Sequence, residues 1–189
     1  MTKRDAICET ALELFAEKGI EATTTREIAE KAGAAEGTLY RHFDGKDDLA
    51  QWLYRRCTAQ LEETLTEAVA EAPPPPARLE ALVRGVFGFY ASKPASCTYL
   101  LSTQESSLGT EAADEAPRSP LRFFAEALDA GVADGTFRDA PVTLTAGWIL
   151  AMVQQTVRSL KADALSMSAQ AAIDRTVDAA LRLAEAPSA

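Results

Sequence analysis

An all-α fold is what this sequence predicts, and three observations predict it. Ala, Leu, Glu and Arg dominate the 189 residues, and no stretch alternates apolar and polar positions with the β-branched enrichment of a strand. Apolar residues recur instead at helical spacing. Gly19, Gly33, the Pro73–Pro76 run, Pro94 and Asp134-Gly135 then cut the chain into pieces of helical length. The result is about nine helices, arranged as an N-terminal three-helix helix-turn-helix head, a long fourth helix and a C-terminal helical body.

The first helix is predicted from about Arg4 to Lys18, with Ile7, Ala11, Leu14 and Phe15 on one face and a stop at Gly19. A second begins after Thr24. A hydroxyl at the N-cap with Glu27 three residues on predicts a reciprocal capping box, and Gly33 ends the helix. A short third helix covers Glu36 to His42. The fourth starts near Lys46 and reaches about Ala70, a connector in length. Four consecutive prolines cannot continue a helix, so a hard boundary follows. Beyond it, helices are expected over Arg78–Ser92, Ala95–Leu108, Leu121–Ala133, Val142–Leu160 and Ser168–Ala184, with a polar loop over Gly109–Pro117.

Composition excludes several classes. No apolar run approaches the ~18 residues of a membrane span, and the charged opening MTKRDAICETALELFAEKG is no secretion signal. Cys8, Cys57 and Cys97 have no metal-ligand spacing and read as reduced, in a soluble cytoplasmic protein. The formal charge of −9 argues against DNA binding if taken whole. Residues 1–56 hold nine Lys/Arg against eleven Asp/Glu, net −2; the remainder holds ten against seventeen, net −7. Acidity therefore lies mainly in the C-terminal part, and affinity for nucleic acid follows local charge, not the chain total.

The informative stretch is TTTREIAEKAGAAEGTLYRHFDGKDDL, residues 23–49. It reads as a capped helix, a turn at Gly33–Ala35 and a short second helix. Ile28 and Ala29 are expected to pack on Leu39 and Phe43, with Ala29 and Ala32 small enough for two helices to cross closely. The exposed face then carries Thr38, Tyr40, Arg41 and His42. All four can donate to phosphates, and Thr38, Arg41 and His42 can also reach base edges in a major groove. Gly37 allows the backbone to approach DNA, and Lys46 at a helix start suits a phosphate. His42, the only histidine, has no partner spacing for metal binding or catalysis. Lys3 and Arg4 read either as a DNA-reaching arm or as a solvated terminus.

At these residues the chain resembles the N-terminal head of the tetracycline-repressor (TetR) family of bacterial regulators. The resemblance spans Ile7 to Leu53 and rests on a helix ending in Phe15 and Gly19, Thr-Thr, Ile28-Ala29, Ala32-Gly33, Gly37-Thr38-Leu39-Tyr40, Phe43, Lys46 and Leu49. Beyond it only length, helix pattern and the phrase GVADGTFRD at residues 131–139 are similar. The resemblance implies phosphate contacts from Thr25, Tyr40 and Lys46, with Thr38, Arg41, His42 and the Gly37 backbone facing the groove. Thr24 is expected to be a cap first and a DNA contact second. One departure is Ala34-Ala35, where many relatives place a capping serine; its loss costs ~1 kcal/mol. Glu36 has two open roles: accepting a hydrogen bond from a cytosine amino group, or favouring the positive end of its helix.

Downstream, apolar and polar residues at helical spacing serve as core or line a ligand cavity. The candidates for the cavity are Cys57, Phe87, Tyr90, Tyr99, Gln104, Phe124, Trp148, Met152 and Gln155. The last two helices, with Trp148 to Leu160 apolar on more than one face and small residues from Ala169 to Leu183, suit packing against another helix pair. In the resembling family they form a two-fold dimer interface. The expectation is a helix-turn-helix DNA-binding domain over 1–46 and a ligand-binding and dimerisation domain over 47–189. It is that of a repressor that binds a near-palindromic double-stranded DNA operator as a homodimer and is released by a small-molecule effector. No cofactor, metal site or membrane partner is expected. The rivals are a helical protein-interaction module and a helical enzyme, the latter without any nucleophile–base pair in the sequence.

Overall fold

The structure, a computed structural model, describes residues 2–71, 74–103 and 119–185. Among them are nine helices: α1 Lys3–Lys18, α2 Thr25–Lys31, α3 Glu36–Leu39, α4 Lys46–Val69, α5 Pro75–Ser92, α6 Pro94–Ser102, α7 Pro120–Ala133, α8 Val142–Lys161 and α9 Ala169–Ala184. The all-α expectation holds. The polar loop over 109–117 and the end expected for the sixth helix at Leu108 lie outside the described residues.

Helix starts follow local chemistry. Thr2 caps α1 in a reciprocal box that the sequence reading did not anticipate. Asp5 N–H donates to Thr2 Oγ1 at 3.1 Å, and Thr2 N–H donates to the Asp5 carboxylate at 2.9 Å. These bonds hold the Asp5 carboxyl below its ordinary range. Prolines open α5, α6 and α7. At the first helical position proline gives up only an N–H that the helix would not use. For this reason α5 starts at Pro75, three residues before the expected Arg78.

The chain divides into two compact units, Met1–Ala59 with Lys93–Pro117 and Gln60–Ser92 with Arg118–Ala189. In the first, Ile7, Leu14, Phe15, Ile28, Leu39, Leu49 and Leu53 are buried, as is Tyr99 from α6. Each such side chain contributes about 1.5–3 kcal/mol on burial. In the second, Leu65, Val83, Val86, Phe124, Ile149, Val153 and Ala180 form the core. Its α7 is capped by Asp134, and Gly135 turns the chain with φ +80°. Phe137 N–H returns to the Gly131 carbonyl at 2.8 Å, and Arg138 N–H reaches the Ala184 carbonyl at 3.0 Å. Together these tie the end of α9 to the turn after α7.

Candidate nucleic-acid interface

The first unit assembles the helix-turn-helix from short-range signals. Thr24 caps α2, its hydroxyl accepting from Glu27 N–H at 3.2 Å. Only this half of the expected capping box forms. The Glu27 carboxylate turns to Lys18 and to Lys31, and the Lys18 bond holds it below its ordinary range. The Lys18 ion pair is the larger influence on Glu27, and the Thr24 backbone N–H adds a smaller one. Gly33 makes the turn with φ +61°, the left-handed region that glycine enters without strain. Ile28, Ala29, Leu39 and Phe43 are all buried, as the spacing implied.

The recognition segment is shorter than expected. α3 ends at Leu39, and Tyr40 to His42 continue as tighter turns: Arg41 N–H bonds Thr38 O at 3.3 Å and His42 N–H bonds Leu39 O at 2.9 Å. No side chain caps α3 at Ala35. Glu36, Gly37, Tyr40, Arg41 and His42 are exposed, Thr38 and Thr25 half-buried. An aromatic residue at 54% exposure has no packing role to explain it, which makes Tyr40 a surface group.

Three hydroxyl or carboxylate groups converge at the rim. Thr25 Oγ1 donates to Glu36 Oε1 at 2.7 Å and lies 3.5 Å from the Tyr40 hydroxyl. Lys46 opens α4, half-buried, with Nζ 3.5 Å from the Glu21 carbonyl. Lys3 and Arg4 belong to α1. Lys3 Nζ donates to the Gly33 carbonyl at 2.8 Å, and the Arg4 guanidinium lies 4.4 Å from the Trp52 ring centroid and 5.4 Å from that of Phe43. Thr24, at the cap, is exposed. The structure therefore gathers Thr25, Glu36 and Tyr40 directly, with Gly37, Thr38, Arg41 and His42 on the same short segment.

The nine cavity candidates are dispersed. Cys57 and Tyr99 are buried in the first unit, where Tyr99 donates its hydroxyl to the Ala50 carbonyl at 2.9 Å. Burial pushes both the Cys57 thiol and the Tyr99 phenol up. Phe87 and Phe124 are core residues of the second unit, and Tyr90 and Met152 are half-buried. Trp148 is 49% exposed, and Gln155 is exposed, its amide donating to Ser159 at 3.4 Å. Gln104 lies outside the described residues. A cavity of about 110 Å³ in the second unit is lined instead by Thr66, Val69, Arg78, Leu82, Phe123, Glu126 and Ala127. None of these is among the nine residues the sequence suggests for a cavity. Phe123 and Phe124 are adjacent in sequence, and only their placement on α7 separates cavity wall from core.

Known proteins share this architecture. The family model described as bacterial regulatory proteins, tetR family, matches residues 7–52, and that of the tetracyclin repressor-like C-terminal domain matches residues 72–183. The chain belongs to the tetR family of bacterial regulatory proteins. The HTH-type transcriptional repressor KstR2 of Rhodococcus jostii (strain RHA1) is 34% identical over 147 residues, 72% of this chain and 68% of that protein. A solved bacterial regulatory protein in the tetR family from Rhodococcus RHA1 superposes with a TM-score of 0.79 at 26% identity, covering 100% of both chains. The regulator FadR from Bacillus subtilis, solved in complex with stearoyl-CoA, shares the fold with a TM-score of 0.75 at 21% identity, over 94% of this chain and 97% of that one. As a member of the tetR family, the chain is a DNA-binding regulator of transcription, not an enzyme. No helix among the described residues is long and apolar enough to cross a membrane.

Proposed function

We propose that the protein is a cytoplasmic repressor that binds a near-palindromic operator as a homodimer and leaves it when a small molecule binds. The DNA-binding domain is assigned to 1–46 and the regulatory domain to 47–189. The observation that carries this reading is the exposed donor set of Tyr40, Arg41 and His42, with Thr38 beside them, on a short segment whose opposite face is buried at Leu39 and Phe43. Tyr40, Thr25 and Lys46 hold phosphates, which positions the head. Thr38, Arg41, His42 and the Gly37 backbone read bases. Two heads enter successive major grooves about 34–36 Å apart.

The dimer surface is assigned to α8 and α9. Leu144, Trp148, Ala151 and Gln155 recur at helical spacing along α8, and all four are exposed. Large apolar side chains left in water on one stripe mark a surface that another protein covers. A second copy is the economical occupant, because closed two-fold dimers prevail among soluble oligomers. This assigns Trp148 and Gln155 to the interface rather than to the effector.

The effector is assigned to the 110 Å³ cavity of the second unit, whose apolar wall of Val69, Leu82, Phe123 and Ala127 carries the opposite charges of Arg78 and Glu126 and the hydroxyl of Thr66. That lining suits an amphipathic organic molecule, and a fatty-acyl thioester such as the stearoyl-CoA of the FadR complex is the first probe. The volume admits only part of such a molecule, so binding must widen the cavity. A ligand releases DNA only as far as it prefers the widened conformer. Thr66 and Val69 stand on α4, the helix that Lys46 opens.

Footprinting on the DNA flanking the protein's own gene tests the operator, and stearoyl-CoA added to the bound complex tests release. A two-fold footprint that weakens steeply as salt rises supports the reading. Binding insensitive to salt rejects it, because phosphate contacts displace counterions.

A further inference from the structure

In the head, one residue assigned to phosphate contact, Thr25, has its proton committed to a carboxylate, and a second, Tyr40, stands beside it. Thr25 Oγ1 lies 2.7 Å from Glu36 Oε1 and 3.5 Å from the Tyr40 hydroxyl. A carboxylate accepts and does not donate, so Thr25 commits its single proton to Glu36. Thr25 then offers Tyr40 only lone pairs, and the tyrosine must be the donor in the longer contact. The Thr25 proton is drawn to Glu36, and the Tyr40 hydroxyl stands at the long limit of a bond to Thr25. The neighbouring cation Arg26 is held by Glu30 at 3.0 Å.

A DNA phosphate is also only an acceptor. To be held by Thr25 and Tyr40 it must take the proton that Glu36 now draws, and it brings negative charge beside a carboxylate. We infer that Glu36 is a specificity-determining residue that works by penalty: its carboxylate competes with the DNA backbone for Thr25 and Tyr40. The penalty is lifted only where the groove offers Glu36 another donor. In the major groove the donor that suits a carboxylate is the cytosine N4 amino group. Sites with cytosine in reach regain both phosphate contacts, and other sites keep the repulsion, a selection by exclusion. This inference rests on the phosphate roles proposed above for Thr25 and Tyr40.

The test uses the full chain and two labelled duplexes, one of random sequence and one selected from a random pool for tight binding. Wild type, Glu36→Ala and Glu36→Gln are titrated on both, each again in a Thr25→Val background. Glu36→Ala is expected to tighten binding to the random duplex about two- to fivefold. The preference for the selected duplex should fall about tenfold, the loss tracing to cytosine positions. Glu36→Gln keeps an oxygen for Thr25 but no charge, and should fall between. With Thr25→Val the tightening should shrink to what removal of the charge alone gives, because the proton under competition is gone.

Equal weakening on both duplexes would make Glu36 a prop for Tyr40 and overturn the inference, as would no change on either. Tightening that persists undiminished with Thr25→Val would reduce it to general charge removal and overturn it too. Wild type is read first: if it shows no salt-dependent binding to either duplex, the contact assignments of the proposed function fall, whatever the variants do. Glu36 is exposed, and an unchanged thermal melt confirms that each variant folds.

Discussion

Tyr99 donates its phenolic hydrogen to the Ala50 carbonyl across 2.9 Å, joining residues 49 apart in sequence at a site closed to water. Its ring lies 5.9 Å from that of Phe15, so one side chain links α6 to α1 and to α4 within the first unit. Tyr99→Phe removes the hydrogen bond and keeps the ring. A loss of about 1 kcal/mol is expected in urea unfolding. Tyr99→Ala, which also empties the ring's volume, should cost about 3–5 kcal/mol.

Alkaline pH should destabilise the protein through buried groups that keep their protons when folded. Burial pushes the Cys97 thiol from its ordinary 9.0 up to about 12. It also raises Cys8, Cys57 and the Tyr99 phenol. Above their ordinary values the unfolded chain releases protons that the folded chain retains, so unfolding is favoured as pH rises. Stability is therefore complete below about pH 9 and declines above it, each group adding a slope of up to about 1.4 kcal/mol per pH unit. Equilibrium unfolding between pH 8 and 11 measures this, and Cys97→Ala should flatten the decline.

Gly131 should tolerate no side chain. A Cβ there would lie 2.1 Å from Cδ2 of Phe137, a ring that is itself 3% exposed and has nowhere to swing. Gly131→Ala is expected to cost about 1–3 kcal/mol by overpacking. Adding Phe137→Leu should recover part of it, and the pair of thermal melts decides the matter.

Lys46→Ala should weaken binding to every DNA sequence by similar factors, and Tyr40→Phe should weaken it most where a cytosine lies within reach of Glu36. The Lys46 change should also lower the salt slope by about one. Arg41→Ala should relax base preference at one position of each half-site, costing about 1–3 kcal/mol there. Anisotropy titrations at several salt concentrations separate the two behaviours. Equal losses from all three would reject the division into positioning and reading residues.

Trp148→Glu should yield a monomer. A charge in the middle of the α8 stripe leaves the fold intact, because Trp148 is half in water already. Sedimentation should show halved mass at micromolar concentration, together with weakened operator binding. A dimer that survives this change would place the interface elsewhere.

Much of the head was legible because its signals are local. A hydroxyl before a helix, a glycine where φ turns positive and apolar residues three or four apart act within a few positions, so Thr24, Gly33, Ile28, Leu39 and Phe43 could be placed from spacing alone. The cap at Thr2 follows the same rule and was open to the same reading. Competition blurred one local signal: Glu27 is expected on its own N-cap, and its main partner is Lys18, on the helix that packs alongside.

By itself the sequence determined the all-α class, the helix-turn-helix and its exposed donors, since each depends on chemistry between near neighbours. Only the tertiary structure decided which face of an apolar helix meets the core. α8 is apolar on more than one face, so periodicity could not tell buried Ile149 from exposed Trp148; the helices that cover one side did so. For the same reason Phe123 lines a cavity while Phe124 is core, and Tyr99 braces two helices. The Thr25–Glu36–Tyr40 chain also belongs to the fold, because its members come from two helices and the turn after them, brought together by the packing of α2 on α3.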